Sequence, residues 1–255
     1  MKWPAATIVL VLAIARAGVG SPLPAAPDAP EAVLRASSFY AAQTRGLIGM
    51  QRHFATTIDA GVVKHSEDSE SGLLLKDGAF LKAKYYRVAD DGKSFSPKQI
   101  ADRDAQTNEG WSAGKIFFKE PYDPRYIGDY AFAVKSCDCR EGTVEIGFTS
   151  TLHDAQHGAG SMWIDNASGR VEKLTYVPYV LPPHASSGQV TETSSQALAD
   201  LWYVTRIDEV YQGRAFLLRG TGTFVATFDH FERFANVAEA EKALADGIGG
   251  TVVTR

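Results

Sequence analysis

The sequence predicts a mainly β fold: a single long antiparallel sheet that curls around an N-terminal helix and is followed by a short C-terminal helix. Three observations carry that reading. Between residues 47 and 234 apolar side chains recur mostly with a period of two, the spacing of half-buried strands. Turn residues such as Asp77-Gly78, Asn166-Ala167-Ser168-Gly169 and Gln212-Gly213 interrupt these runs at short intervals. The chain also holds 13 Phe, 10 Tyr and 23 Gly against 3 Met, which favours pleated surfaces.

With 255 residues, 45% of them apolar and 22% charged, the chain can bury one substantial core, and disordered and collagen-like classes are excluded. A net charge of −4 with no concentrated basic face argues against a nucleic-acid partner.

Lys2, the apolar run Ala5–Ala15 and the small residues from Ala17 to Ser21 are the parts of a secretory signal. The run is too short to span a bilayer, which takes ~20 residues. Residues 1–20 are therefore expected to be a signal peptide, cleaved after Ala17 or Gly20. Losing Lys2 and Arg16 with it would move the net charge from −4 to −6. No cysteine lies near the cleavage zone to carry a lipid anchor. The product is expected to be exported, soluble and not membrane-spanning.

Residues 21–30 (SPLPAAPDAP) carry four prolines and read as an extended linker. Helix fits residues 31–43 better than strand, although Val33, Leu34, Phe39 and Tyr40 form no clean stripe. Ile48, Met50, Phe54 and Ile58 then share one parity. Leu73–Leu75 and Phe80–Val88 flank Asp77-Gly78 as a hairpin. The polar stretch Ala89–Gly114, ~26 residues, is long for a plain loop and reads as a mobile flap with a short helix. Further strands are predicted at 126–134, 143–152, 161–165, 170–177, 189–195 (polar and exposed), 202–212, 214–224 and 223–234. Residues 237–246 read as a helix ending at Gly247. In all, roughly ten strands in a meander form a domain at 31–236, with a C-terminal helix and tail at 237–255.

The chemistry-bearing residues are sparse. Cys137 and Cys139 are the only thiols. One intervening residue holds the Cβ atoms of an extended chain too far apart to bridge, so a disulfide needs a tight turn. A local disulfide, free thiols and a metal or redox pair all stay open. Cys137, Cys139, His153 and His157 mimic a zinc spacing. The strand 144–152 between them would separate thiols from imidazoles by ~30 Å, and TLHDAQHGAG reads as an exposed hairpin loop, so no metal is expected. Ser112 and Lys115 match a bare S-x-x-K pattern but lack its helical setting. Gly220-Thr221-Gly222 lacks the rest of a dinucleotide loop, so no cofactor is expected. Asn166-Ala167-Ser168 is a glycosylation sequon that a turn explains equally well. A hydrolase or thiol redox enzyme built on Ser112/Lys115 or Cys137/Cys139 is the minor alternative; no catalytic residue is assigned.

What remains is apolar surface. By strand parity Ile48, Met50, Phe54, Tyr130, Phe132, Ile146, Phe148 and Phe224 fall on one wide face. One long helix and one flap are the available cover, and a partly filled concave apolar face is a ligand cavity.

The order of elements, together with the hairpin Gly160-Ser161-Met162-Trp163-Ile164-Asp165-Asn166-Ala167-Ser168-Gly169-Arg170-Val171, resembles the periplasmic lipoprotein carriers of the Lol system. It is similar too to the related half-barrel domain of envelope-stress sigma-factor regulators. In that hairpin a strand ending in an acidic residue turns through Gly into a strand opening with a basic one. The resemblance covers residues 32–236 and implies a half-barrel in the periplasm. Its partner would be a lipid acyl chain or lipoprotein, with an envelope protein as the alternative partner; the eight lining residues above rest on strand parity alone.

Overall fold

The computed structural model describes residues 30–61, 63–112, 118–215 and 218–249. The expected signal peptide, and the linker apart from Pro30, lie outside the described residues, as does Lys115. Among the described residues no helix is long and apolar enough to cross a membrane.

The chain folds as helix α1 (Glu31–Gln43), strands β1 (Leu47–Ala60), β2 (Val63–Lys76), β3 (Ala79–Asp90) and β4 (Lys93–Ser94), then helix α2 (Pro97–Ser112). A 3-10 turn at Ile127–Asp129 leads into β5 (Tyr130–Lys135), β6 (Thr143–Ser150), β7 (Gly158–Asp165), β8 (Val171–Pro178), β9 (Ala185–Leu198), β10 (Leu201–Ala215), β11 (Leu218–Phe234) and helix α3 (Val237–Asp246). All eleven strands form one curved antiparallel sheet in the order β4-β3-β2-β1-β11-β10-β9-β8-β7-β6-β5. This is the predicted mainly β half-barrel with its N- and C-terminal helices. It departs from a plain meander at one place, where β1 pairs with β11 instead of a sequence neighbour on that side.

Three layers of packing hold the sheet curved. On the concave face α1 buries Val33, Ala36 and Ser37 against Ile146, Met162, Ile164 and Leu174. The stripe that the large residues lack is supplied by small ones, which let the helix sit close. Further along the trough the sheet curls onto itself: Leu201 and the β9–β10 hairpin meet Ile48, Met50, Leu73 and Phe231. On the convex face α3 buries Ala240 and Leu244 against Leu74 and Phe234. Asn236 caps α3 through the Glu239 N–H at 3.0 Å, and the Glu239 carboxylate accepts in return from Ala235 N–H at 3.1 Å.

The Asp77-Gly78 hairpin forms as predicted, with both residues at positive φ (50° and 75°), the signature of a type I′ turn. Other expectations are corrected. Of the flap expected at 89–114, residues 89–112 are in fact the end of β3, the short β4 and a helix of 16 residues docked on β3, and residues 113–114 lie outside the described residues. Its polar side chains have work at the sheet edge. Asn108 Oδ1 accepts from Ala83 N–H and its Nδ2 donates to Ala83 C=O, both at 2.8 Å, while Asp104 accepts from Tyr85 N–H at 2.6 Å. An edge that would otherwise invite another strand is thereby closed. Replacing Asn108 by Ala should cost about 2 kcal/mol in urea unfolding, because a part-buried N–H and C=O lose their partners together. The last strands also differ: β11 runs unbroken over 17 residues, and β10 continues past Gln212-Gly213 to Ala215. The first half of β2, polar after Val63, is a strand that the periodicity does not predict.

Candidate functional site

The concave face is closed over its middle by residues 118–129, a strap running from Phe118 to the 3-10 turn. Pro121 restricts Glu120 to extended backbone, so alternate side chains Phe118, Glu120 and Tyr122 turn to the sheet. Phe118 stacks on Tyr176 with ring centroids 3.6 Å apart, and Tyr122 meets Tyr40 of α1 edge-on at 5.3 Å. Lys119 N–H donates to Gln156 C=O at 2.9 Å. The buried Asp123 accepts from Arg125 N–H and Nε at 2.8 and 2.9 Å, and Arg125 Nη2 reaches Gly78 C=O at 3.1 Å, tying the strap to the β2–β3 turn.

Beneath the strap the sheet presents Glu192 of β9, 4% exposed, with Tyr176 OH donating to its Oε1 at 3.2 Å. Glu120 of the strap faces Glu192, and Glu120 Oε2 is buried with no hydrogen-bond partner. Burial pushes Glu192 up to about 7; Glu209 adds to the rise, while hydrogen bonds from Glu120 and Tyr176 oppose it. Burial, then the charge and hydrogen bond of Glu192, raise Glu120 well above the usual carboxylate range. Two carboxyls buried beside each other resist ionising together. Glu209 of β10, also raised by burial, accepts from Tyr211 OH at 2.9 Å. Sequence reasoning misses this polar strip: residues 189–195 are expected to be exposed, yet Val190 is 2% exposed and Glu192 is buried beside it. The shared parity of Val190, Glu192 and Ser194 is the available signal.

A small pocket of about 50 Å³ opens beside the strap, between Ala36, Phe39 and Tyr40 of α1, Glu120 and Tyr122, and Trp202 and Tyr203 of β10. A water takes about 10–15 Å³ on this measure, so the pocket holds a few waters and not an acyl chain.

All eight residues expected to line a cavity lie on the concave face, in three separate groups. Tyr130, Ile146 and Phe148 are buried in the core under α1 and the strap, with Phe132 half-buried beside them. Ile48 and Met50 are buried in the core where the sheet curls onto itself. Phe54 and Phe224 are half-buried beyond both cores, 6.5 Å apart, with Tyr211 edge-on to Phe224 at 5.6 Å and Arg52 over Phe54 at 5.6 Å.

Cys137 and Cys139 form a disulfide, with Cα atoms 5.2 Å apart. The imidazoles of the zinc-like spacing lie beyond the other end of β6. His157 is not in an exposed loop, as expected, but fully buried: Nδ1 lies 2.6 Å from Asp154 and Nε2 3.3 Å from Asp129. His153 stacks on Tyr179. Another convergent donor set, His65 with Asp90 and Asp91, is a surface ion-pair cluster at 3.3 and 3.4 Å. Ser112 ends α2. The sequon Asn166 sits in the β7–β8 turn, where Asp165 accepts from Ser168 N–H and Oγ at 2.8 and 2.7 Å.

No family model and no curated protein matches this chain. Solved structures do. An outer membrane lipoprotein-sorting protein domain from Vibrio parahaemolyticus matches 83% of this chain and 97% of its own, at 12% identity and a TM-score of 0.45. A DUF1329 family protein from Desulfovibrio piger matches 82% and 94%, at 11% identity and 0.41. MucB in complex with MucA(peri) matches 82% and 100%, at 10% identity and 0.23. At 10–12% identity and TM-scores of 0.45 or less, each likeness is one of fold alone.

Proposed function

We propose that this protein is an exported carrier or binding protein that shelters an acyl chain, free or on a lipoprotein, along the concave face of its sheet. The supporting observation is how that face is covered. One helix and one strap close its middle, and the apolar wall then runs on to the half-buried Phe54 and Phe224 beside the buried Tyr211. The chain would enter at this end and extend beneath the strap as the strap lifts. Each CH₂ buried contributes about 0.8 kcal/mol, so a long chain needs no charged anchor.

Mass spectrometry of denatured protein, and titration with a fluorescent fatty acid, test the reading. Co-purifying lipid or saturable binding is expected. Replacing Phe54 and Phe224 together by Ser should weaken binding at least tenfold at little cost in stability, since neither belongs to a buried core cluster. Protein that carries no lipid and ignores the probe would overturn the carrier reading.

The small size of the pocket beside the strap favours a second reading, an envelope module whose surface binds a protein partner. One stoichiometric partner in a pull-down, with no lipid, would select it.

A further inference from the structure

We infer that the Cys137–Cys139 disulfide is a thiol–disulfide exchange site on the convex face, which takes two electrons from a pair of thiols on an exported polypeptide. It is independent of the carrier reading, since it uses the opposite face of the sheet.

Met162 and Ile164 are buried in the core under α1, so Trp163 between them turns to the convex side. The pairings of Lys135 with Glu145, Glu145 with Trp163, and Trp163 with Lys173 lay these four side chains in a row across β5 to β8. The β5–β6 loop brings the bridge beside this row. There an open cleft of about 520 Å³ is lined by the disulfide, Glu145, Trp163 and Lys173. That volume suits a few side chains of a docked polypeptide. Trp163 offers them a half-buried apolar platform, with the Lys173 ammonium 4.9 Å from the ring centroid.

The bridge has little structural work to do. One residue separates its cysteines, so it restricts the unfolded chain less than a long-range bridge would. The hairpin is closed without it: β5 and β6 stay paired as far as Lys135 and Glu145, and Thr143 N–H donates to Arg140 C=O at 2.9 Å. Asn166 N–H of the next turn donates to Gly142 C=O at 2.8 Å. Both cysteines are half-buried, and a Glu145 carboxylate oxygen lies within 4.8 Å of both sulfurs. Lys135 Nζ stands 3.7 Å from that carboxylate. An accessible disulfide with a proton acceptor and a cation beside it is equipped for exchange.

In the first step Glu145 takes the proton of an incoming thiol, and the thiolate attacks one sulfur of the bridge. The S–S bond breaks, and the other sulfur leaves as a thiolate that recovers the proton from Glu145. The partner's second thiol then attacks the partner's sulfur in the mixed disulfide and releases the remaining cysteine. The partner loses two electrons and two protons to become a disulfide, and Cys137 and Cys139 end as thiols.

Anaerobic mixing of the purified protein with a reduced two-cysteine peptide, followed by acid quench, alkylation and mass spectrometry, tests this. One peptide disulfide and two protein thiols should form per chain, about tenfold faster at pH 7 than with the same concentration of oxidised glutathione. The double variant C137S/C139S should form none, and its melting temperature should fall by less than about 2 °C. E145Q should slow exchange about tenfold at pH 7 and match wild type near pH 9.5, where thiols ionise unaided. A merely structural role for Glu145 would not give that convergence. Exchange no faster than glutathione's, a larger loss of stability in C137S/C139S, or an E145Q pH profile parallel to that of wild type would overturn the inference.

Discussion

Glu192→Gln should leave the protein more stable than wild type by about 3 kcal/mol at pH 8, and about equal to it near pH 4.5. The sign follows from linkage. Burial raises Glu192 from 4.5 to about 7 in the folded state. Between those values the folded protein binds more protons than the unfolded chain, so stability falls as pH rises. The contribution is fully present below about pH 4.5 and is lost as pH passes 7, each tenfold difference in proton affinity between folded and unfolded chain being worth about 1.4 kcal/mol. Glu120, raised for the same reasons, acts in the same direction. The Gln side chain cannot ionise and still accepts from Tyr176 OH, so the penalty for burying a charge disappears while the hydrogen bond survives. Urea unfolding of both proteins at pH 5, 6.5 and 8 measures this, and parallel stability profiles would refute it.

Gly160→Ala should cost about 3 kcal/mol or more, lowering the melting temperature by roughly 6–12 °C for a domain of this size. Gly160 lies in β7 opposite Tyr176, the residue that stacks on Phe118. An added Cβ there would run into the Thr175 carbonyl oxygen and stand 2.7 Å from Tyr176 Cα. These are backbone atoms of the neighbouring strand, which cannot swing aside as a side chain would. The strands must part, and the strap loses its seat. Gly222→Ala is the control: its nearest contact would be Phe224 Cε2 at 3.4 Å, an ordinary van der Waals distance. It should change stability by no more than about 0.5 kcal/mol. Calorimetry showing similar losses for both would mean that generic glycine effects are at work and not the close approach at Gly160.

Local signals are legible in the sequence where one rule decides the outcome. Asp77-Gly78 is a hairpin because few other residues accept positive φ at both positions, and 237–246 is a helix because Asn236 and Glu239 cap it and Gly247 stops it. Strand parity likewise puts all eight predicted lining residues on the concave side. What stays hidden depends on partners far away in sequence. The polar first half of β2 is a strand because β1 pairs with it along its length and β3 joins from Glu67 onward, and periodicity cannot reveal that. Helix α2 reads as a flap because its inward groups are Asp104 and Asn108, which serve a strand edge instead of a greasy core. Glu192 looks like surface; its polar neighbours in the fold, Tyr176 and Glu120, come from 16 and 72 residues earlier in the chain.

The pairing of β1 with β11 also governs how the molecule can be assembled. Leu47 sits opposite Phe234, so the first long strand waits for the last before the sheet is continuous. A chain released N-terminus first therefore carries β1 with an unsatisfied flank through nearly the whole of its synthesis or translocation. The final closure is the slow entropic step, and any truncation ahead of residue 218 should leave β1–β3 as an orphaned, sticky hairpin array instead of a smaller folded protein.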